Sequence, residues 1–226
     1  MLLRMIVRSI FGVILFMLVL FVPAGTIAWP QGWIFLALFI GCGAATGVWL
    51  YIAEPDLLAA RMKSPLSADQ RLRDRVIIAV LMLAFWGWFI VMALDARRFG
   101  WSRVPAAIEA LGALMVVAAF YGWFTVLRAN RFAATNVRVQ RERGQTVISS
   151  GPYAVVRHPM YGYAVLLIVG TALLLGSLWG LLLGVVLLVP LFGIRAVGEE
   201  TVLMEGLEGY RDYTSRVRYR MIPGVW

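Results

Sequence analysis

Two polar stretches in this chain are dense enough to build a chemical site. The first runs from Gln140 to Tyr161 and reads QRERGQTVISSGPYAVVRHPMY; the second runs from Arg195 to Tyr213 and reads RAVGEETVLMEGLEGYRDY. In the first, Gly151-Pro152 is a chain breaker. His158-Pro159 marks a boundary, because the residue before a proline avoids the helical region and proline suits the first turn of a helix. Arg157, His158 and Tyr161 therefore gather where a helix begins. In the second stretch, Arg195 and Glu199 are four residues apart and share one helix face. Glu200 is turned from Glu199 by about 100° of helix rotation, so one glutamate of the pair is expected to do the main binding work. A carboxylate suits a cationic or amine-bearing ligand; histidine, tyrosine and backbone donors suit a carboxylate on the same ligand. There is no glycine loop of the triphosphate-cradling kind, which disfavours a nucleoside triphosphate. One histidine and one cysteine, Cys42 in an apolar run, leave no zinc set and no Cys/His nucleophile pair.

Each of these residues also has a plainer reading. Arg157 alone reads as an arginine snorkelling to an interface, His158 as a helix cap, and Tyr153 and Tyr161 as aromatics of an interfacial belt. Arg195 and Glu199 read equally as a surface ion pair, worth well under ~1 kcal/mol, or as two groups facing a cavity, since ionisable groups at membrane depth mark ligand paths.

The elements that must position these groups are apolar. Residues of the AVILMFWYC set make up 62% of the 226-residue chain and charged residues 15%. A water-soluble monomer of this size cannot hide that much apolar surface. Ser9–Trp29, Gly32–Ala53 and Val76–Leu94 carry no charge, and Pro105–Leu127 carries only Glu109. A bilayer core of ~30 Å needs about 20 helical residues. The uncharged run Pro159–Ile194 is 36 residues long, or ~54 Å as one straight helix. It is read as a helical hairpin turning near Gly176-Ser177 and Gly180, with five or six spans in all and the crossing of each short arm left open. A hairpin returns its two ends to one membrane face, which makes the two polar stretches neighbours in space. The first run is longer than a signal-peptide core and is followed by the interfacial anchors Trp29 and Trp33, so a retained first helix is expected.

The charges sit in short blocks between these runs, and the net charge of +9 points to an anionic leaflet rather than to nucleic acid. With the N-terminus inside, 18 of the 21 Lys and Arg residues fall on that side, among them Arg61, Lys63, Arg71, Arg73 and Arg75 in one loop; only Arg97, Arg98 and Arg103 fall outside. The asymmetry places both termini on the cytoplasmic side and suggests a bacterial-type cytoplasmic membrane. Residues 196–215 read as an amphipathic helix, with Val197, Leu203, Leu207 and Tyr210 at helical spacing. Its acids, Glu199, Glu200, Glu205, Glu208 and Asp212, interrupt an otherwise basic surface. The fold class expected is an all-α integral membrane protein with a C-terminal helical hairpin and a cytosolic amphipathic tail helix.

The string GPYAVVRHPMY, then a hairpin, a Glu-Glu pair and LEGYRDYTSRVRYRMIPGVW, resembles the isoprenylcysteine carboxyl methyltransferase family, whose C-terminal signature the phospholipid N-methyltransferases share. The resemblance covers about residues 128–226. It implies a membrane enzyme that binds S-adenosylmethionine with its C-terminal half, 128–226, while helices within 1–127 shape the pocket of a lipophilic acceptor drawn from the membrane lipids. By the same resemblance, Gln140, Gln145, Thr146, Val147, Ile148, Tyr153, His158, Pro159, Met160, Tyr161 and Glu199 contact the cofactor, and Arg195 the substrate. After the tyrosine of the RHPMY string the family commonly has one residue and then glycine; here the order is Gly162-Tyr163.

No metal is implied, because a sulfonium carries its own leaving group. A carboxylate acceptor needs no general base, whereas an amine must lose a proton and no dedicated base stands out. The balance therefore favours O-methylation of a carboxylate, with phospholipid or small-amine N-methylation and thiol S-methylation as alternatives. A small transporter would require charges buried mid-span and paired broken helices; here the ionisable groups lie at span ends. A purely structural membrane protein explains the charge asymmetry but not the acids opposite RHPMY. Oligomeric state is not readable.

Overall fold

The structure, a computed structural model, describes residues 2–64, 72–135 and 138–226, so Arg71 lies outside the described residues. It is all-helical there. Helices α1 (Leu2–Ala24), α2 (Pro30–Ala53), α3 (Pro55–Arg61), α4 (Leu72–Ala93) and α5 (Ala106–Ala129) precede the first polar stretch. Then come α6 (Pro159–Leu175), α7 (Leu178–Leu183), α8 (Val189–Gly206) and α9 (Tyr210–Arg216). Pro30, Pro55 and Pro159 each open a helix, where a missing N–H costs nothing. Wider, π-type turns over Leu94–Phe99 extend α4, and others over Gly184–Leu188 join α7 to α8. The second set lies just before Pro190, which removes a helical donor and crowds the carbonyl four residues back.

Among the described residues, five helical stretches are long and apolar enough to cross a membrane: Met5–Ala24, Pro30–Ala53, Leu72–Phe99, Ala106–Ala129 and Leu178–Gly206. The 17 residues of α6 are shorter, about 25 Å at the helical rise. Leu3, Val7, Phe11, Ile14, Leu18 and Val22 of α1 are exposed, a face suited to lipid.

The 36-residue uncharged run is a hairpin. Gly176 turns it with φ of 79°, a backbone conformation open to glycine. Ser177 then caps the return helix, its hydroxyl accepting from Gly180 N at 2.8 Å. Gly180 belongs to the return helix rather than to the turn, and its carbonyl accepts from Trp88 Nε1 at 2.6 Å. The amphipathic stretch 196–215 is divided. Its first part completes α8 to Gly206; Gly209, at φ of 76°, breaks the chain, and α9 carries the rest.

Chain contacts divide the molecule into two units. The first, Met1–Thr46 with Met82–Phe120 and Leu166–Leu188, packs on aromatic rings. Phe16 lies 4.8 Å from Phe39, 5.0 Å from Trp86 and 5.3 Å from Phe89 between centroids. Gly112 and Gly170 bring two helices into backbone contact: a Cβ on Gly112 would lie 2.6 Å from Gly170 O, the close approach that small residues permit. Asp95, wholly buried, ties the hairpin turn. Its Oδ2 accepts from Ser102 Oγ at 2.7 Å, Ser177 Oγ at 2.6 Å and Trp179 N at 3.3 Å. Glu109, the lone charge of its run, is held by Gln31 Nε2 at 3.0 and 3.1 Å. The second unit, Gly47–Leu81 with Tyr121–Val165 and Val189–Trp226, holds both polar stretches.

Asp95→Ala strands Ser102 and Ser177 in a buried place. It should cost about 2 kcal/mol, read as a melting temperature lower by roughly 4–8 °C in detergent. A melting temperature equal to wild type would show that the turn does not depend on Asp95.

Candidate functional site

The site begins with backbone pairing. After α9 the chain runs back along the first polar stretch: Arg157 N donates to Tyr219 O at 2.9 Å and His158 N to Arg220 O at 2.7 Å. Gly162, one turn into α6, allows this approach, since a Cβ there would stand 2.5 Å from Met221 O. The Gly162-Tyr163 order thus serves the chain beyond α9 on one side. On the other, the Tyr163 ring packs against Gly122, where a Cβ would collide with it.

This pairing delivers cations to Glu200, whose side chain is 4% exposed. Arg220 Nε donates to Glu200 Oε2 at 3.0 Å. His158 Nε2 lies 3.2 Å from Oε1. An ionised carboxylate only accepts, so this ring nitrogen carries the hydrogen. Arg157 Nε stands 2.9 Å from Oε1 as an ion pair, without the alignment of a hydrogen bond. A buried carboxylate needs such compensation.

Glu199 faces elsewhere and is 30% exposed. Its Oε2 accepts from the Tyr161 hydroxyl at 3.0 Å and lies 3.8 Å from His158 Nδ1. The Tyr161 hydroxyl in turn accepts from Arg195 Nε at 2.9 Å, while Arg195 Nη2 donates to Thr135 O at 2.6 Å. Arg195 and Glu199 therefore meet through Tyr161, which also stacks on His158 at 5.6 Å.

These groups line a solvent-open hollow of about 900 Å³, its open part included. Its walls include Gln140, Gln145, Thr146, Val147, Ile148, Tyr153, His158, Met160, Tyr161, Arg195 and Glu199. Pro159 is not among them; it opens α6. Gln140 and Gln145 are turned largely to the loop itself. Gln140 Nε2 donates to Phe132 O at 2.7 Å, Gln140 Oε1 accepts from Arg143 Nη1 at 2.6 Å, and Gln145 Oε1 accepts from Gln140 N at 2.7 Å. The Tyr153 hydroxyl accepts from Asn130 Nδ2 at 2.9 Å. Burial is the main cause that pushes its pKa up to about 12, so it keeps its proton at neutral pH.

Sequence reasoning missed several walls of the hollow. Asn130, Arg138, Tyr210 and Tyr213 line it, as does Arg157, which read as an anchor. Tyr213 donates to Tyr153 O at 2.7 Å. Tyr210 packs in a small core with Tyr213, Val217 and Leu207. The helical spacing of Tyr210 with Leu203 and Leu207 was a signal for that packing, but nothing in the sequence placed either residue beside the hollow.

Among the described residues no cluster of three His, Cys, Asp or Glu groups could hold a metal. A part-buried carboxylate, phenol hydroxyls and apolar side chains suit an organic ligand with a cationic end.

Residues 107–208 match the profile of the phospholipid methyltransferase family. The match spans α5, the first polar stretch, the hairpin and the glutamate pair. With the five span-length helices it supports a membrane methyltransferase of the phospholipid or isoprenylcysteine type. None of the curated proteins compared matches the chain.

The two glutamates should separate on substitution. Glu200→Ala leaves Arg157 and Arg220 facing a lost partner and should destabilise the protein by about 3–5 kcal/mol, the scale for breaking a buried pair. Glu199→Ala should leave the melting temperature within about 2 °C of wild type, since half-exposed polar sites contribute little. Equal losses in the two variants would refute this division.

Proposed function

We propose that the protein is an S-adenosylmethionine-dependent methyltransferase acting on a lipophilic acceptor, with carboxylate O-methylation as its reaction. The observation that carries the reading is the hollow itself: it is lined by Glu199, whose Oε2 is engaged and whose Oε1 has no hydrogen-bond or ion-pair partner among the described residues, together with His158, Tyr153 and Tyr161. S-adenosylmethionine supplies, when bound, a methyl group on a sulfonium that leaves without metal or acid assistance.

The residues present suit that cofactor. Glu199 would bind its ammonium end as a charge-assisted pair. His158, Tyr153 and Tyr161 would hold its carboxylate and ribose, and Val147, Ile148 and Met160 would face the adenine. Walls of this kind would hold the reactants in line, which lowers the barrier of a charge-dispersing displacement. Arg195, held by Tyr161 and Thr135, would orient an anionic acceptor through the guanidinium hydrogens left over. The family match favours a second reading, methylation of a phospholipid amine.

Purified protein should bind S-adenosylhomocysteine in a calorimeter, and Glu199→Ala or His158→Ala should weaken binding at least about tenfold, as loss of a charged hydrogen bond implies. Unchanged affinity in both variants would refute the site. Arg195→Ala should spare that affinity and depress turnover, and equal turnover would remove its substrate role. Membranes given methyl-labelled cofactor should yield a lipid-soluble product whose label mild base releases as methanol. Label stable to base would exclude the methyl ester and leave the amine and thiol readings.

A further inference from the structure

Tyr210 is the unexplained polar group of the hollow. Its residue is 4% exposed, and its hydroxyl is among the few buried side-chain atoms, of those described, that have no hydrogen-bond partner. The neighbouring Tyr213 hydroxyl is satisfied by Tyr153 O at 2.7 Å, with the two rings 5.6 Å apart. Two phenols on one short helix thus behave differently: one fastens α9 to the first polar stretch, and the other, on a residue that lines the hollow, is left without a partner among the described residues. A buried hydroxyl without a partner costs free energy in the ligand-free protein. Idle buried donors of this kind call for an explanation.

The surroundings narrow what could satisfy it. Burial first, and then the charges of Glu200 and Glu199, raise the Tyr210 pKa, so the group stays a neutral phenol with a proton to give. The same nearby acids make it a poor seat for a second carboxylate, because like charges at short range repel. A neutral acceptor oxygen, such as a sugar hydroxyl, suffers no such penalty and can donate to an acid while accepting from the phenol. We propose that Tyr210 is a cofactor-binding residue that donates its hydroxyl proton to a ribose oxygen of the nucleoside part. The inference rests on the S-adenosylmethionine reading above. It adds a contact from α9, beyond the matched segment 107–208.

The test is Tyr210→Phe, with two readouts of opposite sign. In ligand-free protein the substitution removes an unsatisfied group, so the melting temperature should be raised. Affinity for S-adenosylhomocysteine should fall about three- to tenfold, the size of one neutral hydrogen bond. Affinity for methylthioadenosine, which lacks the amino-acid end, should fall by the same factor. A lower melting temperature would show that the hydroxyl is already satisfied in the free protein, and unchanged affinity for both ligands would show that it meets neither; either result overturns the proposal. A loss confined to S-adenosylhomocysteine would overturn the ribose assignment in favour of the carboxylate. If wild-type protein binds neither ligand, the cofactor reading itself fails, an outcome distinct from wild-type binding that Tyr210→Phe leaves intact.

Discussion

A single buried carboxylate organises the second unit. Glu200 sits where water cannot solvate it, and charge there is tolerated only with close compensation. Arg157 and His158 supply it from the segment before α6, and Arg220 supplies it from the chain beyond α9. Two segments, one before α6 and one beyond α9, are thereby tied to one turn of α8. The backbone pairing of 157–158 with 219–220 is the same constraint seen from the main chain. Because the cations face Glu200, Glu199 one step along the helix is left to face the hollow.

The hairpin and the spans were legible because a membrane simplifies the problem. In hydrocarbon every backbone group must be satisfied within its own helix, so an uncharged run of the right length has few alternatives. The 36-residue run could not be one span, and Gly176-Ser177 was the place where it could turn. The division of labour between the glutamates was legible too, as an angle around a helix. The choice of Glu199 as the inward one came from the resemblance alone, since what holds Glu200 elsewhere depends on where a segment twenty residues further on comes to rest. Arg220 gave no sign of its role, and Arg157 looked like any interfacial arginine. Asp95 lay just past an apolar run and passed as a span end, although it binds two serines that the sequence places 7 and 82 residues away.

The glutamines show a related limit. A resemblance carries residue identity, and identity fixes which hydrogen bonds a side chain can make, not which it does make. Gln140 and Gln145 reach the wall of the hollow, but their amides also close the loop between Phe132 and Gln145. Their first effect on any ligand is through the shape of that loop. Pro159 acts one step further back, by starting α6 at the point that puts Met160 and Tyr161 on the wall.

The Tyr161 hydroxyl shows how the site can bind a cation and an anion without the two cancelling. It donates to Glu199 and accepts from Arg195, so one neutral group stands between the acid and the base that share a helix face. A direct pair would satisfy both ions and leave little for a ligand. With the phenol between them, and counting only the described residues, each ion keeps hydrogen-bonding capacity unused, Glu199 on Oε1 and Arg195 on the guanidinium hydrogens not taken by Tyr161 and Thr135. On the proposed reading, separation of this kind would let one wall of the hollow address a cationic cofactor end and another an anionic acceptor, as transfer of a methyl group between two bound molecules requires.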